Sequence, residues 1–307
     1  MIWPWITIVT PSFNQAQFLE ETILSVLNQD YPNLEFIVMD GGSDDGSLEI
    51  IQKYETRLAY WQSKKDEGQT DAIAQGIGKA TGEIVNWINS DDLLAPGALR
   101  HIAELVLANV NAGLYAAAVE DFNSGDFAGR RKKWVPENLS LQGLFYNARK
   151  PVLRHQPGIF FRREIYEQIG GFRKNYHICM DLDIHIRMLA KGVRVVYSDR
   201  TVAYFRCHLT SKTSRRNTLN LLCYVKEYKE ICENVQEMTG QAPNVRGAYL
   251  DPLYSAFLIS IGCGNFHTAK ESICLALQIG SVWDGVVVMA AKVVRALKRC
   301  FRAASGI

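Results

Sequence analysis

The chain has 307 residues, room for one large domain or two of about 150 residues each, and its 48% apolar content is enough for a sizeable core. Lys and Arg (34) nearly balance Asp and Glu (32), a formal net charge of +2, so bulk charge gives no ground for a nucleic-acid partner and none is expected. Seven cysteines form no CxxC pair and no paired metal spacing, which excludes a disulfide scaffold and points to a reducing, cytoplasmic setting.

The opening MIWPWITIVT has no basic residue ahead of its apolar run and is broken by Pro4, so it reads as the approach to a strand rather than a signal peptide or membrane span. From Trp5 to about residue 92, short apolar runs alternate with helical periodicity. ITIVT predicts a strand, Phe18–Leu27 a helix, LEFIVM a strand, Leu48–Tyr54 a helix, LAYWQ a strand, Asp71–Ala80 a helix and EIVNWI a strand. This order predicts an α/β fold: a Rossmann-like, mostly parallel central sheet with right-handed crossovers and helices on both faces.

A helix follows near Gly97–Ala108, opened by Pro96. Strands are predicted at LYAAAVE, PGIFFR, RVVYS and VAYFRC, and helices near Arg163–Ile169 and Met180–Lys191. From Asn217 onward the pattern is almost wholly helical, and the polar run KTSRRN marks a boundary. The expected organisation is a domain over 1–215, with halves 1–100 and 101–215, and a helical C-terminal extension over 216–307. Near the end, Lys292, Arg295, Lys298, Arg299 and Arg302 gather opposite Val286, Met289, Val293, Val294, Leu297 and Phe301. That pattern suits peripheral association with a membrane surface at its cytoplasmic face, or packing on the protein itself.

The segments after the four strands share a polar character: TPSFN (Thr10–Asn14), DGGSDDGS (Asp40–Ser47), KKDEGQTD (Lys64–Asp71) and NSDD (Asn89–Asp92). Parallel strands present their carboxyl ends on one edge, where such sheets bind ligands. Asp40, Asp66, Asp71, Asp91 and Asp92 are therefore expected in one crevice, compensated by a cation or by sugar hydroxyls. Asp91 and Asp92 can be read as caps of the helix after Pro96. Their place at a strand end, in acidic company, favours a hard divalent cation, Mn²⁺ or Mg²⁺, completed by water and phosphates. No GxxxxGK[ST] occurs and TPSFNQAQF has no glycine, so neither a P-loop nor a dinucleotide fingerprint is present. A metal bridge then replaces the missing amide cradle.

On the predicted helix from Met180, the i, i+4 spacing puts Met180, Ile184 and Met188 on one face and pairs Asp183 with Arg187. Asp181 lies in the first turn, where a carboxylate is favourable, so capping and catalysis are both open to it.

Together ITIVTPSFN, EFIVMDGGSDDGS, KDEGQTDAIAQGIGKATGEI, NSDDLL, HQPGIFFRREIYEQIGGF and MDLDIHIRM resemble the family 2 glycosyltransferases, from about Ile6 to His208 and in that family's order. The branch reading DGGSxDG and DxGxxDA, often found in clusters for bacterial surface polysaccharides, is the most similar. The resemblance implies a GT-A fold and an inverting transfer of sugar from a nucleotide-sugar donor, a UDP-sugar, to a glycan or lipid-linked glycan acceptor. It places the base and ribose against Thr10 and Asp40, with Pro11, Asn14 and Gly41 in the same loops, and Asp66, Gly68 and Asp71 close to the ribose or diphosphate. It gives Asp91 to ribose and sugar, Asp92 and His208 to the metal, and Asp181 to the general base, with His155 and Gln156 on the acceptor side. Three positions depart from the family pattern: Gly41 where many members have a second acid, Ala74 for a common Asn, and Met180 for Glu. A sugar-phosphate nucleotidylyltransferase would need a Gly-rich basic loop after the first strand, which is absent; an inactive relative serving as a binding subunit is opposed by intact Asp92 and Asp181.

Overall fold

The computed structural model describes residues 2–127, 129, 131–137, 139–141, 156–208, 211–212, 218–240, 253, 260 and 265–279. His155 and the basic amphipathic segment after Asp284 lie outside them. The chain divides into two compact units, Met1–Leu144 with Pro151–Leu209, and Phe145–Lys150 with Thr210–Ile307.

In the first unit the chain runs β1 (Ile6–Ser12), α1 (Ala16–Leu27), β2 (Leu34–Asp40), α2 (Ser47–Tyr54), β3 (Tyr60–Ser63), α3 (Gln69–Ile77) and β4 (Ile84–Trp87). It continues with β5 (Leu93–Leu94), α4 (Ala98–Ala108), β6 (Leu114–Asn123), β7 (Lys132–Trp134), β8 (Ile159–Arg162), α5 (Arg163–Gln168), α6 (Met180–Ala190) and β9 (Val195–Cys207). The sheet order is β3-β2-β1-β4-β8-β6-β9-β5, with β7 on β6. β1, β2, β3 and β4 pair in parallel as expected, whereas β8 joins β4 and β6 antiparallel, so the second half of the sheet is mixed. The chain winds outward from β1 to β3 and then returns to β4 on β1's other side. The crevice beyond the carboxyl ends of β1 and β4 is thus a topological switch point.

The helices form where the periodicity predicts them because one stripe of each is apolar. Leu19, Ile23 and Val26 of α1 and Leu99, Ile102 and Val106 of α4 bury against Ile6, Ile8, Phe36, Val38 and Ile84 of the sheet. On the opposite face, α3 approaches so closely that a Cβ on Gly76 would meet Val9 Cγ1 at 2.5 Å. RVVYS and VAYFRC, expected as two strands, are the single strand β9. Ser198 pairs with Ala117 and Thr201 with Ala118, so Asp199 and Arg200 form a bulge instead of a turn.

α6 buries Met180, Ile184 and Met188 as the spacing requires, and Arg187 Nη2 meets Asp183 Oδ2 at 2.6 Å. His185 on the same helix is fully buried, its ring stacked on Trp87 of β4 at 6.1 Å. In the second unit, α7 (Thr218–Thr239) and α8 (Phe266–Ile279) are joined by an ion pair of Lys226 with Glu271 at 2.5 Å. Among the described residues no helix is long and apolar enough to cross a membrane.

Burial lowers the His185 pKa from the usual 6.5 to about 4. On acidification the unfolded chain takes up that proton first, so stability contributed above about pH 6.5 is lost as pH falls towards 4, by about 3 kcal/mol across the window. Urea unfolding between pH 7 and pH 4.5 should therefore show a shallower pH slope for His185→Leu than for the wild type; parallel slopes would show that His185 titrates normally.

Candidate active site at the carboxyl edge of the sheet

The loops after β1 and β2 interlock. Asn14, at φ 52°, donates its N–H to Ser43 Oγ (2.8 Å) and accepts the Asp44 N–H on Oδ1 (3.1 Å). The N-terminus of α1 has no side-chain cap of its own; Asp45 Oδ2 from the next loop accepts the Ala16 N–H at 2.8 Å. Asp40 is 1% exposed, and Oδ2 accepts from the N–H groups of Gly42 (3.1 Å) and Ser43 (3.0 Å) and from Ser63 Oγ (2.6 Å). Its carboxylate therefore folds the loop onto β3. At the sheet edge itself Pro11 is buried in β1, and the hydroxyls of Thr10 and Ser12 are buried with no hydrogen-bond partner among the described residues.

A Cβ on Gly41 would lie 3.1 Å from Asp66 Oδ2 and 3.3 Å from Phe13 Cδ2. Gly41, where the resemblance leads one to expect a second acid, is thus flanked by the Asp66 carboxylate and by Phe13, which is 61% exposed. Burial pushes the Asp66 carboxyl above the usual range, and the charges of Asp71 and Asp40 push it the same way. Gly68, at φ 106°, where glycine is favoured, donates its N–H to Asp66 Oδ1 at 2.8 Å and begins α3. Asp71 is buried, and its Oδ1 meets Lys174 Nζ at 2.6 Å; the ammonium holds this carboxyl below its ordinary value. Gln69 Nε2 donates to Asn89 Oδ1 at 2.7 Å, which ties this loop to the one after β4.

That last loop separates its two carboxylates. Asp91 Oδ2 lies 2.9 Å from His208 Nε2, with Asp91 22% and His208 7% exposed. Asp92 is turned inward at 1% exposure, where Oδ1 accepts the Arg206 N–H (3.0 Å) and Oδ2 the Asn89 amide (3.2 Å). Burial, with the neighbouring charge of Asp91, pushes the Asp92 carboxyl well above the usual range. The oxygens of Asp92, the expected cation ligand, are committed to interior donors, while Asp91, expected to face the sugar, turns to His208. The charges of Asp40 and Asp71 act on Asp66, and that of Asp91 acts on Asp92. Among the described residues no three His, Cys, Asp or Glu side chains converge as a metal cluster.

Asp181 is half-buried in the first turn of α6, and its Oδ1 accepts the Leu182 N–H at 2.8 Å. The start of this helix is docked on the start of α3: Thr70 Oγ1 lies 2.7 Å from the Tyr176 carbonyl and 2.8 Å from Met180 Sδ. Gln156, the expected acceptor-side residue, has its side chain turned into the sheet. It is 7% exposed, and Nε2 donates to Asn86 Oδ1 (2.8 Å) and the Trp87 carbonyl (2.7 Å), since its neighbour Asn86 is a polar group buried between β1 and β8. Phe13, Lys174 and Arg206 escaped the sequence reading. Phe13 had a signal, an aromatic residue inside a polar loop; the other two act through partners far away in sequence.

Residues 7–170 match the family described as Glycosyl transferase family 2. An uncharacterized glycosyltransferase of Mycobacterium tuberculosis is 31% identical over 185 residues, 60% of this chain and 68% of that one. Another, of Rickettsia typhi, is 28% identical over 207 residues, covering 65% and 62%. Among solved structures, S. aureus TarS in complex with UDP-GlcNAc aligns with a TM-score of 0.55 at 15% identity, over 83% of this chain and 81% of that one. The mannosyltransferase PcManGT from Pyrobaculum calidifontis, in complex with GDP-Man and Mn²⁺, aligns with a TM-score of 0.57 at 21% identity, over 99% and 83%. These structures establish the GT-A fold, and the family match over more than half the chain carries the assignment: this protein is a glycosyltransferase of family 2.

Proposed function

We propose that this enzyme transfers a sugar from a nucleotide diphosphate sugar, a UDP-sugar first of all, to a hydroxyl of a glycan or lipid-linked glycan, with inversion at the anomeric carbon. The observation that carries the reading is the Asp91–His208 pair, 2.9 Å apart at the switch-point edge of the sheet. The UDP-GlcNAc bound by TarS supports a UDP-sugar, while the GDP-Man bound by PcManGT keeps guanosine in the comparison. The exposed ring of Phe13, beside Gly41 and Asp66, offers a face for the base to stack on. Surface-polysaccharide assembly is the role the branch motifs suggest.

A carboxylate and an imidazole form a donor set that fits Mn²⁺ better than Mg²⁺, and Asp91 and His208 are the residues that would offer it. Asp91 and His208 would hold such a cation, which when bound would supply electrostatic stabilisation for the charge on the departing diphosphate. Asp181 takes the proton of the acceptor hydroxyl on its carboxylate as the new oxygen–carbon bond forms and the bond to the diphosphate oxygen breaks on the opposite face. Asp183 does not share that task, because it is buried in its pair with Arg187.

Asp91→Ala and His208→Ala should each remove the Mn²⁺-dependent part of the thermal shift given by UDP, or by GDP if that is the nucleotide, with little change in the melting of the free protein. Equal nucleotide affinity in EDTA and in Mn²⁺ would end the metal assignment. Asp92→Leu should behave differently, lowering urea stability by about 1–3 kcal/mol because the Arg206 N–H and the Asn89 amide lose their acceptor. Asp181→Asn should leave nucleotide and Mn²⁺ affinity unchanged while nucleotide release from a panel of UDP-sugars in the presence of acceptor falls about 100-fold or more; near wild-type release would place the base elsewhere.

A further inference from the structure

We propose that Arg206 is the positioning residue that sets the Asp91–His208 pair, an inference that rests on the metal reading above. Arg206 stands near the end of β9 and is 5% exposed. Its N–H donates to Asp92 Oδ1 at 3.0 Å, its Nε to the Asp91 carbonyl at 2.7 Å and its Nη2 to Glu21 Oε2 at 2.6 Å. The guanidinium lies over the rings of Phe18 at 4.7 Å and Phe122 at 4.6 Å. Phe18 in turn packs on the His208 ring, with centroids 4.9 Å apart.

One side chain thus bears on both members of the pair, on Asp91 directly and on His208 through Phe18. It holds the main chain of Asp91 directly and steadies His208 through the ring of Phe18. The carbonyls on either side are pinned by Thr22, whose Oγ1 lies 2.9 Å from Ser90 O and 2.8 Å from Asp92 O. With the Asp91 carbonyl drawn towards Arg206 and the Asp92 side chain drawn to its N–H, the peptide between the two acids has one orientation. Asp91 Oδ2 is then left facing His208. The task requires the planar guanidinium fork, which donates along two directions while its faces rest on aromatic rings; an ammonium at the same place is a single point charge and does neither. Glu21, at 54% exposure, is the peripheral partner in this arrangement.

The test measures Mn²⁺ affinity of the full chain with UDP present, and UDP affinity in EDTA, for wild type, Arg206→Lys, Phe18→Leu and Glu21→Gln. Arg206→Lys should bind Mn²⁺ at least tenfold more weakly, the scale for losing a group that orients a metal ligand, with UDP affinity in EDTA unchanged. Phe18→Leu should show a smaller loss in the same direction, and Glu21→Gln less than a twofold change. Wild-type Mn²⁺ affinity in Arg206→Lys overturns the inference; should that variant not fold, wild-type affinity in Phe18→Leu overturns it equally. Parallel loss of EDTA-state UDP binding and of Mn²⁺ binding would make Arg206 a general structural residue and also overturn it. Asp91→Ala and His208→Ala separate the two levels: if they bind Mn²⁺ like the wild type, the metal reading itself fails and the inference falls with it.

Discussion

The hydrogen bond from the Arg206 N–H to the buried carboxylate of Asp92 joins stretches of chain 114 residues apart and brings the end of β4 to the end of β9. A buried carboxylate without donors is costly, so the loop after β4 has one way to satisfy Asp92, and taking it turns the neighbouring Asp91 the other way. The crevice geometry follows from that constraint. His208 reaches Asp91 because it lies two residues beyond Arg206 on the same run of chain. α1 is drawn in as well, since Phe18, Glu21 and Thr22 on one of its faces all touch the 90–92 or 206–208 segments.

A second junction sets the opposite wall. Thr70 and Asp71 at the start of α3 hold the segment that leads into α6, through the Tyr176 carbonyl, Met180 Sδ and Lys174 Nζ. Asp71 is 5% exposed while Lys174 remains 57% exposed, so a buried acid is neutralised by an ammonium that keeps much of its hydration. Met180, one of the departures from the pattern the resemblance implies, is 6% exposed and against the Thr70 hydroxyl. A carboxylate buried there would need a further donor. The thioether asks for none, and Asp181 follows it directly in the chain.

Asp40 and Asp45 illustrate how acidic loop residues can serve the fold before they serve a ligand. Asp40 gathers Gly42, Ser43 and Ser63, and Asp45 caps α1 while also accepting from Ser47 at the start of α2. Burial raises the Asp45 carboxyl, but the Ser47 and Ala16 donors outweigh it and hold it below its ordinary value. The first two loops are therefore tied together by the hydrogen bonds these two carboxylates accept.

What the sequence determined by itself was everything carried by short-range periodicity. Apolar spacing marked β1 to β4 and α1 to α6, the i, i+4 rule placed Asp183 beside Arg187, and the position of each polar loop after a strand located the crevice. These features need only neighbours within a turn or two of the chain. The tertiary structure alone decided which of Asp91 and Asp92 faces outward, because two adjacent residues in an irregular turn have no period to separate them and the choice is made by a donor on β9. It turned Gln156 into the sheet because Asn86, 70 residues earlier, needed a partner there. It also made one strand of Val195–Cys207, since the residues between the two predicted strands carry no strand pattern of their own and the pairing with β6 on both sides holds Asp199 and Arg200 as a bulge.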